Sequence, residues 1–149
     1  MDEEIDNLAK TGQITECRYS LWNSAVFLVA KSDGTYRFVQ DARSLNDQCL
    51  QDKYELPRIK NILDGLTECN YLSSFDFTSS FTQIGLEKSS QPLTAFSYNG
   101  KRFNWTRLVQ GHLSSSAQFS RSMAQLFSKV PFKSLLIYID DILMGSKNY

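Results

Sequence analysis

Apolar residues along this 149-residue chain fall into short blocks, and the spacing inside each block selects an element. Glu3 to Lys10 (EEIDNLAK) carries acids in its first turn and is followed by Gly12, which predicts a short helix. Ala25–Lys31 (AVFLVAK) and Tyr36–Gln40 (YRFVQ) are rich in β-branched and aromatic residues. The Ser32-Asp33-Gly34-Thr35 turn between them predicts a hairpin. Pro57 opens PRIKNILDGL, in which Ile59, Ile62, Leu63 and Leu66 share one helical face. Tyr71–Phe75 predicts a strand that delivers Asp76 at its C-terminal end. PLTAFSY, Asn99-Gly100 and KRFNWTRL predict a second hairpin, Asn-Gly being a strong hairpin signal. Ser114-Ser115-Ser116 offer N-caps for a helix with Phe119, Met123, Leu126, Phe127 and Val130 at helical spacing. SLLIYIDDILMGS reads as an apolar strand pair interrupted by Asp140-Asp141. The order α-β-β-α-β-β-β-α-β-β, with short connections, predicts an α+β fold built on antiparallel sheets.

Composition narrows the class. With 42% apolar and 21% charged residues the chain can fill one sizeable core or two small lobes. Pro at 3 and Gly at 7 are too few for a fibrous or disordered chain. No apolar run approaches the ~20 residues that span a bilayer, and the acidic MDEEIDN start does not resemble a secretory signal. Cys17, Cys49 and Cys69 are odd in number and form no CxxC pair, which suits reduced intracellular thiols over a disulfide scaffold or zinc module. His112, the single histidine, has no Cys/His cluster around it and reads as structural. Asn104-Trp105-Thr106 fits a glycosylation acceptor, but nothing else in the chain points to secretion.

A net charge of zero hides an asymmetry. Residues 1–70 hold 8 Lys+Arg against 12 Asp+Glu, and residues 71–149 hold 8 against 4. Those four acids are Asp76, Glu87, Asp140 and Asp141. With three of them neutralised by metal, the second half would present a surface suited to a polyanion.

Asp140-Asp141 is the strongest chemical feature, since carboxylates beside an apolar strand need a compensating partner. Two readings stand. One is an exposed hairpin turn, where Asp is common. The other is a metal site of hard oxygen ligands suited to Mg²⁺. Asp76, ending another apolar strand, favours the second if a sheet sets it beside Asp140. Three such acids can hold two Mg²⁺ about 4 Å apart, an arrangement that implies phosphoryl transfer on a nucleic acid or nucleotide.

Tyr138-Ile139-Asp140-Asp141 resembles the Tyr-x-Asp-Asp box of reverse transcriptases. Further blocks resemble the family in the same order: Trp22-Asn23-Ser24-Ala25-Val26-Phe27, Tyr36 to Asn46 (YRFVQDARSLN), Leu56-Pro57-Arg58-Ile59, Ser74-Phe75-Asp76-Phe77, Thr94-Ala95-Phe96 and Leu108-Val109-Gln110-Gly111. The likeness covers residues 19 to 147 and is nearest to gypsy-type LTR retrotransposons and retroviruses. It implies the antiparallel-sheet fingers and palm of a right-hand nucleic-acid polymerase. Residues 1–51 and 84–114 would form fingers, and 52–83 and 115–149 an incomplete palm, with thumb and ribonuclease H absent.

The resemblance also implies roles. Asp76, Asp140 and Asp141 match the catalytic carboxylates and would hold two Mg²⁺, or Mn²⁺ as a substitute, assisted by the backbone carbonyl of Phe77. Lys31 and Arg37 look like triphosphate contacts, Gln110 like the glutamine near the sugar, and Phe81 like the aromatic beneath it. Phe27, Arg43 and Asn46 resemble template contacts, and Tyr138 resembles the tyrosine near the primer end. Trp22 and Trp105 are candidates for base stacking or for core. Val109 stands where the family has Pro, His112 where it has an aromatic or Leu, and Ser114–Ala117 where a Pro introduces the palm helix. The implied partners are an RNA or DNA template–primer, deoxynucleotides and either the rest of a Pol polyprotein or a host protein, with no membrane. The implied setting is intracellular, in cytoplasmic virus-like particles or the nucleus. The alternative is a domesticated, inactive retroelement remnant that binds protein or nucleic acid.

Overall fold

The computed structural model describes residues 1–56, 60, 64, 66–129 and 135–148. The helix expected from Pro57 falls largely outside this set, as does Val130. The described chain forms two compact units: Met1–Leu50 with Phe81–Leu113, and Gln51–Ser80 with Ser114–Tyr149.

The first unit begins with α1 (Asp2–Lys10), whose Asp2, Glu3 and Glu4 sit in the first turn and Lys10 in the last, both favourable to the helix dipole. Its C-terminus closes in a Schellman pattern: the Gly12 N–H donates to Ala9 O and the Gln13 N–H to Leu8 O. β1 (Ile14–Glu16), a three-residue strand with no sequence pattern to announce it, follows at once. It pairs with β6 (Lys101–Trp105), which pairs in turn with β5 (Phe96–Tyr98), so the sheet order is β1-β6-β5. Asn99 and Gly100, at φ 48° and 74°, make the two-residue turn between β5 and β6. The expected strand starting at Pro92 is shorter than its apolar pattern: Gln91–Thr94 is a 3₁₀ turn, because Pro92 lacks the N–H a ladder needs.

β2 (Val26–Ala30) and β3 (Tyr36–Gln40) form the other hairpin of this unit, in register from Val26 opposite Gln40 to Ala30 opposite Tyr36. The core gathers Ile5, Leu8, Ile14, Phe96, Phe103, Trp105 and Val109, with Val26 and Phe38 packed against it. Phe96 and Phe103 stack with centroids 5.7 Å apart, and the Phe38 ring lies 5.5 Å from Phe96. Burying Phe96 completely is worth roughly 1.5–3 kcal/mol. Trp105 is therefore core, not a base-stacking platform. Its Nε1–H donates to Gln40 Oε1 at 2.7 Å, while Gln40 Nε2 donates to Thr94 O at 3.0 Å. Asn104 is buried too and accepts a hydrogen bond from the Cys17 thiol at 3.0 Å, so the glycosylation pattern is inaccessible.

The second unit is built on β4 (Tyr71–Asp76), β7 (Leu135–Tyr138) and β8 (Asp141–Ser146), in the order β4-β8-β7, all antiparallel. α3 (Ser115–Phe127) packs on β7 and buries Phe119 and Met123; Leu126 is left exposed. Ser114 occupies the N-cap position without capping the helix through its side chain. Its Oγ accepts the Asp52 N–H instead, at 3.3 Å. Arg121 fastens the same segment, pairing with Asp52 at 2.8 Å and lying 5.0 Å over the Tyr54 ring. β4 is the outer strand of its sheet, and Tyr71, Leu72 and Phe75 are exposed despite its apolar run.

Candidate active site

The register of the second sheet brings the three acids to one end of it. Asp76, last residue of β4, lies directly opposite Asp141, first residue of β8, and Tyr138 lies opposite Asp141 on the other side. Ile139 and Asp140 form the two-residue turn between β7 and β8. The Phe77 N–H donates to Asp140 O at 3.4 Å, tying the residue after Asp76 to that turn. The Phe77 ring meets Phe119 edge-on, with centroids 6.0 Å apart, which ties the tip of β4 to α3.

Two features of this tip are costly. Ile139 sits at φ 54°, a left-handed conformation that a β-branched side chain resists, costing of order 1–3 kcal/mol. Directly opposed like charges, here Asp76 and Asp141, also destabilise an antiparallel pair. A cation between them would offset the repulsion. Asp76 and Asp141 are exposed and Asp140 half-buried, so all three are open to ligands from solvent. Among the described residues, no group of three or more His, Cys, Asp or Glu side chains is gathered as a metal site. The donor chemistry fits Mg²⁺ even so, since three carboxylates on adjacent backbone supply hard oxygens.

The other expected residues lie in the first unit. Phe27 and Arg37 share one face of the β2–β3 hairpin with Val29 and Val39, alternating with Leu28 and Phe38 on the other. Lys31 opens the turn of that hairpin: its N–H donates to Thr35 O at 2.8 Å. Arg43 begins the short helix α2 (Arg43–Asn46), and its guanidinium forks onto Asp41 with contacts of 2.6 to 3.1 Å. That fork holds the Asp41 carboxyl down at about 2. Asn46, at the end of α2, spends its amide on backbone: Nδ2 donates to Gly111 O and Oδ1 accepts the Leu113 N–H. Gln110 is exposed in the turn after β6, and Phe81 begins a 3₁₀ turn over Phe81–Gln83, half-buried. Gln40, Thr94, Asp52 and Arg121 escaped notice in the sequence, because their importance lies in partners 11 to 69 residues away.

Solved structures show what class of fold this is. The chain superposes with a TM-score of 0.89 on a foamy viral protease-reverse transcriptase in complex with double-stranded DNA, at 32% identity over 99% of this chain and 25% of that one. Against the same kind of protein in complex with an RNA/DNA hybrid, the TM-score is 0.86 at 31% identity, over 99% of this chain and 19% of that one. The fold is that of a reverse transcriptase fragment.

Sequence comparison assigns the family. The family model described as reverse transcriptase (RNA-dependent DNA polymerase) matches residues 29–149, and this chain belongs to that family. The retrovirus-related Pol polyprotein from transposon 412 of Drosophila melanogaster is 35% identical over 147 residues, 95% of this chain and 12% of that protein. The Pro-Pol polyprotein of Simian foamy virus type 1 is 33% identical over 141 residues, 95% of this chain and 12% of that protein. The chain thus spans about an eighth of the length of these curated relatives.

Proposed function

We propose that this chain supplies the catalytic part of an RNA-directed DNA polymerase, adding deoxynucleotides to a primer 3′-hydroxyl on an RNA or DNA template. The observation that carries the reading is the register of Asp76 opposite Asp141, with Asp140 next in the chain, in a member of the reverse transcriptase family. In this reading residues 1–51 and 84–114 act as fingers and residues 52–83 and 115–149 as palm. Asp76, Asp140 and Asp141, with the Phe77 carbonyl, hold two Mg²⁺; Mn²⁺ can substitute. Bound there, the two ions supply activation of the attacking hydroxyl and charge neutralisation at the leaving group.

The chain's own residues do the rest. Arg37 offers a planar fork to phosphate oxygens and Lys31 a point charge. Gln110 contacts the sugar region and Phe81 packs beneath it. Phe27 lies against the template base with Arg43 on the template side, and Tyr138 supports the primer end. Complexes of the foamy viral relatives with double-stranded DNA and with an RNA/DNA hybrid support nucleic acid as the partner.

Primer extension tests the reading. Joined to the segment that follows the matched region in a Pol polyprotein relative, the chain should extend a primer on an RNA template, and Asp140→Asn should abolish extension. Alone, it should extend weakly, because grip on a duplex comes from phosphate contacts spread along it. No extension even with that segment would favour a retained, inactive binding module.

A further inference from the structure

Among the residues of the first unit, one side chain is committed twice to the backbone beside a site residue. Asn46 donates through Nδ2 to Gly111 O at 3.0 Å and accepts the Leu113 N–H on Oδ1 at 2.8 Å. A single amide thus spans the segment immediately after Gln110, from a residue 65 positions earlier in the chain. We propose that Asn46 is a positioning residue for Gln110: it fixes the backbone that presents Gln110 and does not itself touch the template. The inference rests on the polymerase reading and refines it.

Three observations support the assignment. First, the segment 108–113 is anchored at its other end by burial. Leu108 and Val109 are buried, Val109 within the hydrophobic core, and the Leu108 N–H donates to Ile84 O at 2.9 Å. Gln110 is therefore the exposed residue between a packed anchor and a hydrogen-bonded one.

Second, the segment has an intrinsic reason to move. Gly111 stands at φ 96°, where glycine alone is at ease, and neighbouring Gln110 is exposed with no ring to restrict φ. Without an external hold, the carbonyl of Gly111 and the N–H of Leu113 would sample many directions and carry Gln110 with them. A primary amide suits the task, since one planar group both donates and accepts.

Third, Asn46 is itself held in place. It closes α2 with its N–H donating to Ala42 O at 2.8 Å, and Ala42 and Leu45 of that turn are buried. The chain of support runs from core, through α2, through the Asn46 amide, to the backbone beside Gln110. With both amide atoms occupied, Asn46 has one remaining N–H and a second oxygen lone pair. It is a poor candidate for reading or gripping a template strand.

The test has two arms. In the 149-residue chain, amide exchange is followed by NMR for wild type, Asn46→Asp and Asn46→Ala. Asn46→Ala should speed exchange at Leu113 by about 5- to 10-fold, the effect of losing one hydrogen bond of ordinary strength. Asn46→Asp, which still accepts, should keep Leu113 protected while losing the bond to Gly111 O. Unchanged Leu113 exchange in Asn46→Ala would overturn the clamp.

The second arm uses the chain joined to the segment that follows the matched region in a Pol polyprotein relative. Asn46→Ala should raise KM for deoxynucleotide about 5- to 10-fold and leave the Kd for template–primer unchanged. Combined with Gln110→Ala, it should add little further, because the two act in series. A weakened template–primer Kd, or full additivity with Gln110→Ala, would overturn the positioning role. An inactive wild type would count against the polymerase reading alone, and the exchange arm would then decide whether the clamp exists.

Discussion

At the scale of single residues, charge and burial decide the behaviour of groups that look alike in the sequence. Asp41 and Asp76 are both acids at or just after the end of a strand, yet Asp41 is neutralised by the Arg43 fork at 2.6 Å while Asp76 faces another acid. Because Arg43 holds the Asp41 carboxyl at about 2, below its ordinary 3.8, the folded chain binds that proton less readily than the unfolded one. The linked stability is present above the ordinary value and is lost as pH falls toward about 2. A carboxyl-detected NMR titration should find the Asp41 midpoint near 2, and Arg43→Ala should return it toward 3.8.

His112 follows the same logic with the opposite charge. Its Nε2 is buried with no hydrogen-bond partner among the described residues, and burial lowers its affinity for a proton below the ordinary 6.5. The unfolded chain therefore takes up the proton first as pH falls. Stability linked to His112 is full above the ordinary value and declines below it. Thermal unfolding measured at about pH 8 and about pH 5.5 should show a lower midpoint in acid, and His112→Leu should remove the part of that loss due to this ring.

At the scale of elements, close approach is what the alternation of strands does not reveal. Gly145 lies in β8, opposite Leu72 of β4. A Cβ placed there would meet Cys69 Sγ in hard overlap, Leu66 Cδ2 at 2.8 Å and Cys69 Cβ at 2.9 Å. Glycine is there because neighbouring side chains fill the space. Gly145→Ala should destabilise the chain by ~1–3 kcal/mol in denaturant melts, through overpacking. Cys69→Ala in the same background should return part of that loss, since it removes the nearest atom.

At the scale of the whole molecule, the proposed polymerase makes a distinction no single element can make, between ribo- and deoxynucleotides. Phe81 follows Asp76 by five residues and is half-buried at the start of its 3₁₀ turn. A ring beneath the sugar would exclude a 2′-hydroxyl by volume. Phe81→Val, in the chain joined to the following segment of a Pol polyprotein relative, should admit ribonucleotides ~30- to 1,000-fold more readily relative to deoxynucleotides. If Phe81 served packing alone, both rates would fall together, with a stability loss of ~3–5 kcal/mol on truncation. Steady-state incorporation of matched ribo- and deoxynucleotides by wild type and variant distinguishes the two.

Local pattern alone determined the helix α1, both hairpin turns, the strand leading to Asp76 and the paired strands around Asp140-Asp141, because each is encoded within a few residues by periodicity, capping or turn chemistry. The order of the blocks alone also carried the family, since a run of matched segments is a one-dimensional property. Tertiary structure decided the rest. It paired three-residue β1 with β6, set Asp76 opposite Asp141, turned Trp105 inward onto Gln40, diverted Ser114 from capping α3 to the Asp52 backbone, and left β4 exposed as an outer strand. The reason is the same in each case. A register, a buried hydrogen bond or an exposed edge depends on which distant segment lies alongside, and that is settled by the summed packing of a unit, with no local signature in the residues that receive it.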